Sequence, residues 1–382
     1  MPTVVMAAGG TAGHVVPAVA IADELRDRGA EVFFMGARGR LEAQLVPAAG
    51  YEIDLLNLTG IDRRNPLKAL RAAGLAAAAL PGARRILANR GADVVVGGGG
   101  FVAGPAGLAA RSKRIPLVLT EADRHFGLAN RLLARSARKV CLAFSIKGCE
   151  GDRFTVTGRA VGRAVLEADR EQARHRFSID PGSQALLIMG GSLGARSINL
   201  AAVEALAERP GRNFEVIHVS GSRDFPEVSE RLATAVNQSG YTLLEFEPDL
   251  GDCLAACDLV LARAGGSVFE LTATGRPAVL VPYPHATGDH QSANAEWMTS
   301  AGAAVVITDA DLNADRLLAE VGAILADRGQ LESMAAASRA LAMPDAARMI
   351  ADQIMAAAGK SEPAGDRSGS SEPVGSFPES VE

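Results

Sequence analysis

Two glycine-rich turns and one histidine are the first residues whose types and spacing could do chemistry. Gly9-Gly10-Thr11-Ala12-Gly13 runs straight into His14, and Gly190-Gly191-Ser192-Leu193-Gly194 repeats the pattern in the second half of the chain. Glycines let a backbone turn tightly and approach a ligand, and a helix that follows offers free N–H groups and a positive dipole to phosphate. Neither turn is a dinucleotide fingerprint or a P-loop, because G-x-G-x-x-G and Gly-Lys-Ser/Thr are absent. Either turn alone reads equally well as a packing feature; their matched positions favour ligand binding. His14, at a helix start, suits a general base near neutral pH, with a capping or hydrogen-bonded structural histidine as the plain alternative.

A third group lies further on. It comprises Arg263-Ala264-Gly265-Gly266-Ser267-Val268-Phe269-Glu270, then Pro282-Tyr283-Pro284-His285, then Asp289-His290-Gln291 and Asn294. Its first part leaves a strand and starts a helix, so its amides can meet a phosphate and Glu270 can accept two ribose hydroxyls. The last part offers amide and acid groups suited to sugar hydroxyls. His285, Asp289 and His290 invite a metal reading, but their spacing fits no common zinc motif and no glutamate base accompanies them. Cys253 and Cys257 stand four apart without a histidine nearby, and the four cysteines are too few for a disulfide scaffold.

Such groups need a scaffold that places a turn after each strand. Short β-branched runs separated by helical stretches predict strands at Thr3–Ala8, Glu31–Met35, Glu52–Leu58, Asp93–Val96, Pro116–Leu119 and Lys139–Phe144. The second half predicts Ala185–Met189, Phe214–Val219, Tyr241–Glu245, Leu259–Ala262, Ala278–Val281 and Ala304–Ile307. This alternation implies α/β architecture with parallel sheets covered on both faces. The two glycine turns, each after the first strand of its half, imply two facing Rossmann-like domains, residues 1–157 and 158–358, joined near Val156–Arg163. Ligands of such sheets bind beyond the carboxyl ends of the strands. The stretch 359–382 is rich in Gly, Ser, Pro and Glu and is expected to be disordered.

Length and charge narrow the class. At 382 residues two domains are the natural expectation, and 48% hydrophobic with 22% charged residues fits a soluble globular protein. A net charge of -5 argues against general nucleic-acid binding, which needs a basic surface. Met1–Ala8 lacks a basic flank and reads as a first strand, and Ala72–Leu80 is too short to span a bilayer, so a cytoplasmic location is expected.

Four segments then become specific. Ala8–Ala18 (AGGTAGHVVPA), Gly97–Gly107 (GGGGFVAGPAG), Gly190–Asn199 (GGSLGARSIN) and Asp289–Asn294 resemble, in this order, the motifs of the MurG family, the N-acetylglucosaminyltransferases that complete the lipid-linked peptidoglycan precursor. The likeness covers roughly residues 1–355. It implies the GT-B glycosyltransferase architecture and inverting transfer from UDP-N-acetylglucosamine to undecaprenyl-pyrophosphoryl-N-acetylmuramyl-pentapeptide. It further implies that Thr11, Ala12 and Gly13 touch phosphate and sugar, that His14 is the base, and that Ser192 lies near the uridine diphosphate. Gly265, Gly266 and Ser267 would hold its phosphates, Glu270 its ribose, and His290 and Gln291 the N-acetylglucosamine, with Asn294 in support. Glu121, Asp123, Asn130 and Arg163 are counted with the substrate contacts. The chain departs from the family at two places: Thr120-Glu121-Ala122-Asp123 stands for His-Glu-Gln-Asn, and Arg159-Ala160-Val161-Gly162 for Asn-Pro-Val-Arg, with Arg163 one place late. The Arg263–Glu270 segment is one residue short of the pattern.

The implied reaction needs no metal cofactor, since backbone amides can stabilise the leaving diphosphate. Asp309-Ala310-Asp311 matches the Asp-x-Asp of metal-dependent glycosyltransferases, but before a helix it reads as capping. Rival readings are a related transferase acting on a glycerolipid or secondary metabolite, a UDP-N-acetylglucosamine 2-epimerase of similar architecture, and a silent binding protein. A lipid-linked acceptor also implies docking at the inner face of the cell membrane. Ile61–Arg90 is the expected anionic-membrane segment, carrying Arg63, Arg64, Lys68, Arg71, Arg84, Arg85 and Arg90 among Leu67, Leu70, Leu75, Leu80, Ile86 and Leu87.

Overall fold

The computed structural model describes residues 1–59, 66–191, 194–247 and 250–359, side chains 66–70 and 287 excepted. The chain forms two compact units, Met1–Ala160 together with the segment from Asp345 onward, and Val161–Pro344. The expected boundary at 157/158 therefore falls three residues later. The stretch 360–382 expected to be disordered lies outside the described residues, as do Ile61–Asn65 of the expected membrane segment.

In the first unit the elements are β1 (Thr3–Ala7), α1 (Ala12–Asp27), β2 (Glu31–Ala37), α2 (Glu42–Ala48), β3 (Glu52–Leu56), α3 (Pro66–Asn89), β4 (Val94–Gly97), α4 (Ala103–Lys113), β5 (Leu117–Glu121), α5 (Leu128–Leu133), β6 (Lys139–Leu142) and β7 (Phe154–Val156). The sheet runs β3-β2-β1-β4-β5-β6-β7, all parallel. Because alternate residues of a strand face opposite sides, Val4 and Met6 of β1 pack with Val15, Ile21 and Leu25 of α1. Val5 and Ala7 face the other layer, with Ala83 and Leu87 of α3 and Ala106 of α4.

The second unit contains α6 (Arg163–Glu167), α7 (Arg170–Arg176), β8 (Ala185–Met189), α8 (Arg196–Leu206), β9 (Glu215–Val219), α9 (Phe225–Ala233), β10 (Tyr241–Leu244), α10 (Leu250–Ala256), β11 (Leu259–Ala262), α11 (Val268–Ala273), β12 (Ala278–Leu280), α12 (His290–Ser300), β13 (Ala304–Val306), α13 (Ala314–Ala326) and α14 (Arg328–Ala340). Its sheet, β10-β9-β8-β11-β12-β13, is also parallel throughout. Both sheets have the Rossmann order, with β1 and β8 at the switch point where ligands bind.

The last helix corrects the expected domain plan. α15 (Ala346–Ala358) belongs to the first unit, where Ile350, Ala351, Ile354 and Ala357 join the cluster around Val15, Ala18 and Leu25. Arg28 clips it from α1 through Asp352 at 2.6 Å. Burying Ile350 and Ile354 stabilises the contact by roughly 1.5–3 kcal/mol each, so residues 346–358 cannot be assigned to the second domain.

Candidate active site

In the first unit the glycine turn sits at the carboxyl end of β1. Gly10 has φ +98°, and its N–H donates to Glu42 Oε2 at 3.0 Å, while Ala37 N–H donates to Glu42 Oε1 at 3.1 Å. Glu42 is fully buried, and a Cβ on Gly9 would lie 2.3 Å from its Oε1. One buried carboxylate thus ties the first turn to the end of β2. The segment Gly97–Gly107 comes from the neighbouring β4. A Cβ on Gly100 would lie 2.2 Å from the Gly9 carbonyl oxygen, and one on Gly99 would lie 2.6 Å from the His14 ring. Both glycines have positive φ, so the two turns interlock only because neither carries a side chain there.

His14 stands in the first turn of α1, half-buried, with Nδ1 3.0 Å from Thr11 Oγ1. For Nε2 to accept a proton, Nδ1 must hold the hydrogen and donate it to that hydroxyl. Burial, followed by the Arg159 guanidinium, pushes the ring below its ordinary value, while Asp123 and Glu42 pull upward. A small pocket beside it is lined by Gly13, Pro17, Gly98, Thr120, Glu121 and Arg159, among others.

Glu121 and Asn130, expected among the substrate contacts, direct their polar atoms inward. Glu121 Oε2 accepts from Gly127 N–H at 2.9 Å and from Asn130 Nδ2 at 3.0 Å, and Oε1 accepts from Asp123 N–H at 3.2 Å. Burial raises the Glu121 carboxyl, partly offset by these donors. The pair shapes the turn after β5, which carries Thr120 to the pocket.

The second unit builds its turn differently. Gly191 and Gly194 have φ +86° and +77°, and a Cβ on Gly194 would lie 2.1 Å from the Ser220 carbonyl oxygen and 3.2 Å from Asp224 Oδ2. Asn199 Nδ2 donates to those same two atoms at 2.8 and 2.9 Å. Its Oδ1 meets His218 Nε2 at 3.0 Å, and His218 Nδ1 meets Tyr241 Oη at 2.8 Å. An amide oxygen only accepts, so Nε2 carries the hydrogen and Nδ1 accepts from the tyrosine. Burial holds the His218 ring down at about 3, so it stays neutral. Ser192 itself lies outside the described residues.

Beside this turn, Ala264–Ser267 links β11 to α11. Asn294 of α12 donates to the Ala264 carbonyl at 3.0 Å, and Gln291 Oε1 accepts from Tyr283 N–H at 2.9 Å. A Cβ on Gly265 would lie 3.9 Å from Gln291 Nε2, which puts the Gly265 turn and the start of α12 side by side. Glu270 is partly exposed on the first turn of α11. Arg263 binds Asp309 at 2.5 Å, Ser197 Oγ at 2.8 Å and the Val281 carbonyl at 3.1 Å. Burial works to raise the Asp309 carboxyl, but Ser197 and Arg263 outweigh it and hold it low.

Several expectations need correction here. Asp309 is an anchor for Arg263, Asp311 accepts from the Thr308 hydroxyl at 2.6 Å, and the cap of α13 is Asn313, which accepts from Arg316 N–H at 2.9 Å. Arg163 opens α6, half-exposed and 3.7 Å from Glu167. Leu87 is core, Leu80 and Ile86 pack partly buried against it, and Arg90 pairs with Glu52 and Asp54, so these side chains are engaged within the first unit. Among the described residues no group of three or more His, Cys, Asp or Glu stands close enough to hold a metal, His285, Asp289 and His290 included. All four cysteines are buried and unpaired.

Against this geometry the known families are informative. The N-terminal domain of glycosyltransferase family 28 matches residues 4–142, and its C-terminal domain matches residues 185–350. The chain belongs to glycosyltransferase family 28. It is 40% identical over 360 residues to the UDP-N-acetylglucosamine--N-acetylmuramyl-(pentapeptide) pyrophosphoryl-undecaprenol N-acetylglucosamine transferase of Methylococcus capsulatus, covering 93% of this chain and 99% of that one. The crystal structure of Acinetobacter baumannii MurG superposes with a TM-score of 0.69 at 30% identity, covering 93% of this chain and all of that one. A UDP-GlcNAc 2-epimerase from Neisseria meningitidis has a TM-score of 0.66 but 15% identity over 93% of this chain and 100% of that one, a likeness of fold alone. Within family 28 the two-Rossmann, GT-B architecture and glycosyl transfer follow for this chain.

Sequence reasoning passed over Glu42, Arg159, Arg263, Asn199 and His218 as working groups. Arg159 and Asn199 stood inside segments already singled out, whereas nothing local marks Glu42 or His218, whose partners are distant in sequence.

Proposed function

We propose that the chain transfers N-acetylglucosamine from UDP-N-acetylglucosamine to undecaprenyl-pyrophosphoryl-N-acetylmuramyl-pentapeptide, with inversion. The observation that carries this reading is the His14 site, an imidazole held by Thr11 at the end of a glycine turn and pushed below its ordinary value by burial, in a chain alike over 93% of its length to an enzyme named for that reaction. His14 Nε2 takes the acceptor hydroxyl proton, the oxygen attacks the anomeric carbon, and uridine diphosphate departs from the opposite side. Thr11, Ala12 and Gly13 border phosphate and sugar. Amides of Gly265, Gly266 and Ser267 receive the donor phosphates, Glu270 the ribose hydroxyls, and His290 and Gln291 the sugar, with Asn294 holding the turn.

The lipid-linked acceptor requires docking at the inner face of the cell membrane, and one face of the first unit fits. Arg71, Arg84 and Arg85 are exposed on α3. The adjoining α4 and α5 expose Leu108 and Leu132, the latter 71% accessible, with Arg111, Lys113 and Arg131 around them. Apolar side chains ringed by cations suit an anionic lipid surface at about 1 kcal/mol per basic residue. Among the described residues no helix is long and apolar enough to cross a membrane.

The deciding experiment incubates the protein with UDP-N-acetylglucosamine and a soluble analogue of the lipid-linked acceptor and measures product mass. A product heavier by one N-acetylhexosamine is expected; an epimerised donor with no acceptor present, or transfer only to diacylglycerol, would replace this reading by a rival. Changing Arg84, Arg85 and Arg111 to Glu should reduce flotation with anionic vesicles while sparing activity on the soluble acceptor.

A further inference from the structure

The carboxyl ends of β8 and β9 lie side by side, since the two strands pair in parallel as far as Met189 and Val219. The turn that leaves β9, residues 220–224, is therefore the neighbour of the second glycine turn. It holds a carboxylate that solvent hardly reaches. The Asp224 side chain is 2% exposed, and its Oδ2 receives Asn199 Nδ2 at 2.9 Å. Arg223 closes on the same group, with Nε 2.9 Å from Oδ1 and Nη2 3.1 Å from Oδ2. A Cβ on Gly194 would lie 3.2 Å from that Oδ2, so the guanidinium and the glycine turn meet at one oxygen. Asn199 is fixed in turn by His218 at 3.0 Å, and His218 by Tyr241 at 2.8 Å, so the cation stands on a buried chain.

Two other arginines reach this end of the sheet, and both are spent. Arg196, in the first turn of α8, gives its two amino groups to Glu227. Arg263 gives its own to Asp309, Ser197 and backbone carbonyls. Arg223 keeps Nη1 without a hydrogen bond among the described residues, on a side chain 59% exposed. A planar guanidinium backed by a carboxylate on one edge still offers its other edge to an anion, and phosphate oxygens suit that edge. We propose that Arg223 is a further donor-binding residue, whose guanidinium meets a phosphate oxygen of the bound uridine nucleotide while Asp224, Asn199, His218 and Tyr241 hold it in place. The proposal rests on the second unit taking the donor.

The test compares the full chain with its Arg223→Gln and Arg223→Lys forms; glutamine keeps a donor for the buried Asp224, and lysine keeps a charge. UDP affinity is read by calorimetry, and that of uridine, which has no phosphate, by NMR titration. Arg223→Gln should weaken UDP binding roughly tenfold or more, the scale of one hydrogen bond to a charged group, and leave uridine unchanged. Arg223→Lys should weaken UDP by less. Loss of UDP and uridine affinity in equal measure would mean that Arg223 only braces Asp224, and unchanged UDP affinity would put the phosphates out of its reach. Either result overturns the proposal. Failure of the parent chain to bind UDP is a separate result, which overturns the donor reading and this proposal with it.

Discussion

The two glycine turns look alike in sequence and are held by different means. The first is propped by a buried carboxylate and adjoins a histidine under the influence of Arg159, Asp123 and Glu42. The second is propped by a neutral chain, Tyr241 to His218 to Asn199 to the Ser220 carbonyl, that ends against Asp224. A proton-transfer site needs charges close enough to tune an imidazole near neutral pH. On the proposed reading the second turn borders the donor diphosphate, where a fixed height and no proton chemistry are needed, because preorganised donors stabilise charge without reorganising. The same fold thus supplies a tunable turn and a rigid one.

The sharpest way to break this comparison is to remove the proposed base. His14→Ala should lower turnover by roughly 10²–10⁴ with little change in UDP affinity, read by steady-state kinetics beside calorimetry. A variant within a few-fold of the parent would leave the first turn with no catalytic privilege over the second. The converse change is Glu270→Ala, which should weaken UDP binding by roughly 1.5–3 kcal/mol, the scale of a hydrogen bond to a charged group. Turnover at saturating donor should stay within a few-fold; a large loss would mean that the second unit also takes part in the chemical step.

A third measurement concerns acid. The folded His218 ring lies at about 3, below the unfolded value of about 6.5, so the unfolded chain binds the proton first. Its contribution to stability is complete above pH 6.5 and is lost as pH falls toward 3, by about 1.4 kcal/mol per pH unit. Denaturant midpoints for the second unit should therefore fall in that window, and His218→Gln should flatten the slope. An unchanged slope would assign the acid sensitivity to other groups.

Much of the scaffold was legible because parallel strands buried on both faces read as continuous apolar runs. All twelve expected strands are present, with ends displaced by a residue or two. The thirteenth, Phe154–Val156, escaped notice because three residues at a sheet edge give no period to read. The segment that forms α15 was counted with the second domain, because an apolar helix face does not name its partner. Of the site, the glycine turns and His14 announce themselves by type and spacing. Glu42, Arg159 and His218 acquire meaning only from atoms that the fold brings to them, and Ile86 and Leu87 could equally have faced lipid until α3 was seen against the sheet.

The return of α15 to α1 has a consequence for synthesis. The second unit, residues 161–344, is an insertion within the first, and the chain passes between the two twice, at 160/161 and 344/345. A ribosome therefore releases a complete second unit while the first still lacks the helix that covers Val15, Ala18, Ile21 and Leu25. Domains fold as units, and contacts between distant residues form late. The unit made first is thus the one finished last, and its α1 face stays an exposed apolar strip until about residue 358 has left the tunnel.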